Sequence, residues 1–376
     1  MTIPNSPFTI HHSQFIRPDI VGMEPYTPIV PFEVLSRQLG FAPEEIVKLD
    51  ANENPYGPSP KALAAMQDGR YYHIYPDPAA TELREAISGY VGVPAERLVV
   101  GMGADELIDL VLRVVLAPQD KVLDCPPSFG MYPFSTYVNL GQYVTVNRTA
   151  DFGLDVAGIE AAVASHPPTK LLFLCSPNNP SGNLISDDDL RRLLQLPVLV
   201  VLDEAYIEFA QVQGATSHIG WTADYDNLCV LRTFSKLAGL AGLRVGYGAF
   251  PTWLVPHLMK IKQPYNVNVA ANLAAQGALQ DVAWLEEHVA LLVQEREAMT
   301  AALAEFDFLR PFPSQSNFVL CEVVGRSAKE LKLRLQSEYG VLVRHYSNEL
   351  LNNYIRITAG RPQDTARLLA ALRSEK

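Results

Sequence analysis

Between residues 98 and 250, seven short apolar runs alternate with helical patterns, and this alternation constrains the fold more than any other feature of the chain. The runs fall at 98–100, 121–124, 143–146, 171–175, 198–202, 229–232 and 245–250, each of strand length. Between them, residues 104–116 place Leu107, Ile108, Val111, Leu112 and Val115 on one helical face. Ser186, followed by Asp189, marks the capped and acidic start of a helix over 187–194. Strands separated by helices imply a mainly parallel sheet covered on both faces, an α/β fold. Such sheets bind ligands beyond the carboxyl ends of their strands, so the chemistry is expected immediately after these runs.

A chain of 376 residues exceeds one ordinary core, and two domains are expected. Residues 1–45 are irregular and Pro-rich and read as an N-terminal arm or part of a small domain, 46–275 as a large domain, and 276–376 as a small one. An Ala- and Leu-rich helical stretch over 267–306 reads as a spine between them. The tail reads strand 317–321, helix 328–338, strands 341–343 and 354–358, and helix 362–372, a compact α+β unit. A formal charge of −11 argues against a binder of nucleic-acid backbones, which needs clustered Lys and Arg. Cys125, Cys175, Cys229 and Cys321 lie far apart in or beside apolar runs, which suits buried thiols and suggests no metal site. No apolar run has the length of a membrane span, and the opening MTIPNSPFTIHH shows no targeting pattern. A cytoplasmic protein without membrane contact is expected.

Four strand ends carry candidate chemistry. GMGADE (101–106) opens a helix with a glycine turn, which suits a phosphate, although Glu106 stands where a dinucleotide fingerprint would have its third glycine. SPNNPSG (176–182) is either a plain turn or a turn that aims the Asn179 amide at a ligand. DEAY (203–206) puts Asp203 directly after buried apolar residues, a costly place for a carboxylate unless a cation meets it. A helix cap is the alternative; a pyridinium nitrogen is the partner that would make Asp203 functional. TFSK (233–236) puts Lys236 before a Gly- and Leu-rich loop ending at Arg244. Desolvation there would depress the amine pKa and favour Schiff-base formation, while Arg244 could return as a phosphate ligand.

Together these residues resemble fold-type-I pyridoxal-phosphate-dependent aminotransferases, most closely the histidinol-phosphate aminotransferase branch. The resemblance rests on LDANENPYGP (49–58), YPDP (75–78), GADELIDL (103–110), CSPNNPSG (175–182), LDEAYIEF (202–209), RTFSKLAGLAGLRVGYG (232–248) and YIRITAG (354–360). It implies a mostly parallel seven-stranded sheet between helices, plus a smaller α+β C-terminal domain. It also implies that Lys236 binds pyridoxal 5′-phosphate as a Schiff base and moves a proton, and that Asp203 pairs with the ring nitrogen. Tyr206 and Asn179 would meet the cofactor's phenolate oxygen, and Ser235, Arg244, Ala104 and Asp105 its phosphate. Phe129 would stack on the ring where relatives often have Tyr. Tyr56 would reach the other subunit's cofactor in a homodimer.

For substrate, the resemblance implies that Tyr26, Arg344 and Arg356 meet the phosphate of histidinol phosphate, with Arg356 also taking the carboxylate of glutamate or 2-oxoglutarate. His345 replaces a commoner acidic residue after Arg344 and reads as a supporting or surface histidine. An aromatic-amino-acid aminotransferase or a phosphoamino-acid decarboxylase shares these motifs. A non-catalytic regulatory module would carry an attached DNA-binding domain, for which no basic segment is visible. A nicotinamide dehydrogenase rests only on the broken glycine motif.

Overall fold

The computed structural model describes residues 15–23 and 31–375. Among these residues the strands are β1 (Val47–Leu49), β2 (Leu98–Gly101), β3 (Lys121–Asp124), β4 (Gln142–Thr145), β5 (Thr169–Cys175), β6 (Leu199–Asp203), β7 (Leu228–Thr233), β8 (Gly246–Ala249), β9 (Leu309–Pro311), β10 (Phe318–Val323), β11 (Val341–His345) and β12 (Tyr354–Thr358). A seven-stranded sheet runs in the order β2-β8-β7-β6-β5-β3-β4. β8 alone runs against the direction of the other six strands. This is the mostly parallel sheet that the alternation implied.

β6 and β7 are buried along their whole length and β5 from Leu171 onward, and their side chains divide by parity. Leu172, Leu174, Val200, Leu202 and Val230 enter one apolar cluster, and Leu171, Phe173, Val201, Cys229 and Leu231 enter the other. A period of two on a sheet packed on both faces gives this division. Polar side chains can therefore emerge only at strand ends. All four cysteines are buried and unpaired. The Ser186 cap is present, its side chain accepting from the Asp189 amide at the start of helix Asp187–Leu193.

A second sheet has the order β1-β11-β12-β10-β9. Two of its strands, β1 and β9, have no counterpart in the sequence reading. At three residues each, they are too short to show alternation. Residues 47–49, placed with the large domain by sequence, pair in parallel with β11. The chain thus threads the small sheet before it builds the large one. The arm contributes helix Phe32–Leu39, whose Leu35 packs with Ile46 and Leu342. The expected single spine is two helices, Val269–Leu279 and Val282–Leu303, broken at Gln280 and Asp281. The first packs tightly on helix Pro60–Gln67, where a Cβ on Gly277 would lie 2.6 Å from the Lys61 carbonyl oxygen.

A similar close approach shapes the site. Gly246, at the start of β8, faces the turn that opens helix Gly103–Val115. A Cβ on Gly246 would lie 2.7 Å from the Gly103 carbonyl carbon and 2.8 Å from the Ala104 nitrogen. Both obstacles are backbone and cannot rotate away. Gly246→Ala should lower stability by about 1–3 kcal/mol through overpacking, read as a fall in the urea midpoint. An unchanged midpoint would show that the turn can yield.

Candidate active site

The carboxyl ends of β2, β5, β6 and β7 meet at a cavity of about 310 Å³. Its lining includes Ala104, Asp105, Phe129, Asn179, Asp203, Tyr206, Ser235, Lys236 and Arg244. These nine were all expected from sequence to lie in one site. The fold brings them together because parallel strands release their following loops at the same edge.

Lys236 lies in the short helix Phe234–Leu237, directly after β7, and its Nζ donates to the Ala51 carbonyl at 3.1 Å. Burial, reinforced by the Arg356 charge, lowers its pKa to about 8. Asp203 ends β6 and is 4% exposed. Burial raises its pKa to about 6, against the opposing effect of two hydrogen bonds. Oδ1 accepts from the Ala205 amide at 3.0 Å, and Oδ2 accepts from the Tyr132 hydroxyl at 2.8 Å. The capping alternative for Asp203 thus describes one oxygen only.

An anion cradle closes one end of the cavity. Helix Gly103–Val115 begins there, so its first amides and positive dipole end face the lining. Gly103 has φ +76, and a Cβ on it would lie 2.7 Å from Arg244 Nη2. Arg244 also bonds Asp105 Oδ2 at 3.0 Å across half-exposed surface. Ser235 is buried and its hydroxyl accepts from Thr233 Oγ1 at 2.9 Å.

Tyr206 accepts two hydrogen bonds, from Asn52 Nδ2 at 3.0 Å and Asn179 Nδ2 at 3.4 Å. With both lone pairs directed at amides, its own O–H proton is left for a third partner on the cavity side. Asn52 adopts φ +54, a conformation that Asn tolerates, and is clamped by Thr358. Its role escaped sequence reading, although it lies within the LDANENP segment.

A second cavity, about 470 Å³, shares Ala51, Phe129, Asn179, Tyr206 and Lys236 with the first and adds Arg344 and Arg356. The two arginines are directly opposite in the β11–β12 ladder. Arg356 donates to Asn179 Oδ1 at 2.6 Å and to the Asp50 carbonyl at 2.8 Å, while its buried Nε has no acceptor. Among the described residues neither arginine forms an ion pair with a carboxylate. Arg344 lies 5.9 Å from the Tyr346 ring centroid. His345 bonds the Asn352 carbonyl at 3.0 Å and is a supporting residue of the loop.

Tyr56 lines neither cavity of its own chain; its ring meets His288 at 4.8 Å and Arg361 at 5.5 Å. Tyr26 lies outside the described residues. Behind the site, Glu204 is fully buried, with Arg232 Nη2 at 3.1 Å and the Ser217 hydroxyl at 2.6 Å. It turns away from the cavity that its neighbour Asp203 enters.

An amine of depressed pKa, a buried carboxylate and an anion cradle around one cavity suit group transfer on an amine. The model of aminotransferase class I and II matches residues 44–372, and the chain belongs to that family. The chain is 51% identical over 360 residues to histidinol-phosphate aminotransferase 1 of Arabidopsis thaliana, described as chloroplastic, covering 96% of this chain and 85% of that protein. It is 48% identical over 365 residues to the histidinol-phosphate aminotransferase of Roseiflexus castenholzii, covering 95% and 97%. The crystal structure of the Sinorhizobium meliloti histidinol-phosphate aminotransferase in complex with pyridoxal-5′-phosphate matches with a TM-score of 0.87 at 29% identity, covering 96% and 98%.

Proposed function

We propose that the protein exchanges an amino group between L-histidinol phosphate and 2-oxoglutarate in histidine biosynthesis, in a ping-pong cycle with pyridoxal 5′-phosphate. The observation that carries this reading is the wall shared by the two cavities. On one side Lys236 faces a buried carboxylate and an anion cradle; on the other stand two arginines that pair with no carboxylate among the described residues. The donor set of the first cavity fits the cofactor: an amine to bind it, a carboxylate for its ring nitrogen, and amides with Arg244 and Ser235 for its phosphate.

When bound, the cofactor supplies an electrophilic carbonyl carbon and an electron-withdrawing ring. The chain's residues divide the remaining work. Lys236 Nζ is uncharged above about pH 8, so it can bind covalently and then hold or return the proton of substrate Cα. Asp203 gains most from a cationic partner, because its ionised form is otherwise penalised by burial. Tyr206 and Asn179 present an O–H and an amide to an anionic oxygen, and Phe129 presents an aromatic face. Arg344 and Arg356 repel each other across the ladder unless an anion joins them. Their planar forks suit a phosphate in one half-reaction and a carboxylate in the other. Tyr26 completes the proposed substrate contacts.

We infer a homodimer as the active form, with Tyr56 serving the partner's site. Its position outside both cavities of its own chain supports this, as do the exposed aromatics Tyr71, Tyr72 and Tyr75. A cytoplasmic location belongs to the same proposal and is tested by cell fractionation.

The purified protein should show the absorbance of bound cofactor, and borohydride should fix the cofactor on the peptide containing Lys236. Lys236→Ala should lose the band and at least about 10²-fold in kcat; label on another lysine would refute the reading. Arg344→Gln should reduce kcat/KM for histidinol phosphate by about 10-fold or more, the cost of a charge-assisted hydrogen bond. Phenylalanine turnover should fall less, and equal losses would remove the phosphate role. Mixing Lys236→Ala with Tyr56→Ala subunits should restore activity above either variant, because the hybrid holds one intact site. No recovery after subunit exchange would count against the shared-site dimer.

A further inference from the structure

Among the described residues Tyr132 is the one fully buried phenol that bonds a site carboxylate, and no role described so far uses it. It lies in helix Met131–Val138, three residues past Phe129, with 0% exposure. Its ring stacks on Phe173 of β5 at 4.5 Å between centroids and 5° between planes. The Phe129 ring meets it edge-on at 5.6 Å and 87°. The ring is thus packed on a face and an edge inside the core, which holds its hydroxyl beside Asp203. From there it donates to Asp203 Oδ2 at 2.8 Å.

We propose that Tyr132 is a positioning residue for the cofactor ring, aiming the Asp203 carboxylate and favouring its ionised form while its own ring braces Phe129. The proposal rests on the cofactor reading above. Asp203 must be an anion to pair with a ring nitrogen, yet burial opposes ionisation. Cys175 at the end of β5 and Asp105 at the start of helix Gly103–Val115 face it, along with its chain neighbours Glu204 and Tyr206. None of these four makes a hydrogen bond to the Asp203 side chain among the described residues. Among the described residues its donors are the Ala205 amide and the Tyr132 hydroxyl. The amide is fixed backbone on Oδ1; the hydroxyl alone sets Oδ2. A donor to the charged form lowers a carboxyl pKa, so its removal must raise that of Asp203. One aromatic thereby links two expected ring contacts, the face at Phe129 and the edge at Asp203.

Tyr132→Phe removes the donor and keeps the stacked ring. Pyridoxal 5′-phosphate, titrated into the cofactor-free variant and followed by absorbance, should bind about 10-fold more weakly than to wild type. The pH below which binding weakens should move upward. In the Asp203→Asn protein, adding Tyr132→Phe should cost little more, because the two act through one contact. Unchanged affinity and pH midpoint in Tyr132→Phe, or an equal loss with and without Asp203, would overturn the proposal. If Asp203→Asn itself binds the cofactor like wild type, the reading of Asp203 fails first and takes the proposal with it. Phe173→Leu loosens the stack without touching the hydroxyl, and should shift the midpoint in the same direction by less. Should Tyr132→Phe not fold, an unshifted Phe173→Leu midpoint overturns the proposal.

Discussion

Burial of the seven-stranded sheet on both faces is the constraint from which the rest follows. Residues of β5, β6 and β7 alternate between two apolar clusters, leaving no place along these strands for an unpaired polar group. Asp124, Asp203 and Thr233 are therefore terminal residues of β3, β6 and β7. With six strands running one way, those ends and the loops after them share an edge. Convergence of side chains from distant parts of the chain is a consequence of strand direction, not of local sequence.

That edge is also where burial becomes chemically useful. The same loss of water moves Lys236 and Asp203 in opposite directions, the amine down to about 8 and the carboxyl up to about 6. Each is displaced toward its neutral form, and each gains by meeting a complementary group. Arg356 illustrates the other side of this balance. Its hydrogen bonds go to the Asn179 amide oxygen and the Asp50 carbonyl, so its charge is solvated by dipoles while remaining available to an anion. Glu204 has a full partner in Arg232 and accordingly belongs to the scaffold.

The two sheets are joined where the substrate would sit. Asn52, just after β1, bonds Thr358 at the end of β12 and donates to Tyr206 of the large unit. Asn317 donates to the Asn52 carbonyl, and Arg356 reaches Asn179. The small sheet thereby sets the orientation of two residues beside Lys236. A displacement of one sheet relative to the other would change the geometry of both cavities at once.

Much of this was legible in the sequence. Strand ends that carry Asn179, Asp203 and Lys236 announce themselves, because an apolar run followed by a polar group is a local pattern. The helix start at Gly103 and the returning Arg244 are local as well. Local pattern in the sequence therefore determined the sheet, its edge and the strand-end candidates Asn179, Asp203, Lys236 and Arg244, while Phe129, Tyr206, Ser235, Ala104 and Asp105 came from the family resemblance. Tertiary structure decided what depends on distance in space. The pairing of β1 with β11, the opposition of Arg344 and Arg356, and the contact of Tyr132 with Asp203 join residues far apart in the chain or segments too short for periodicity. Periodicity records which way a side chain faces; only packing determines what it meets.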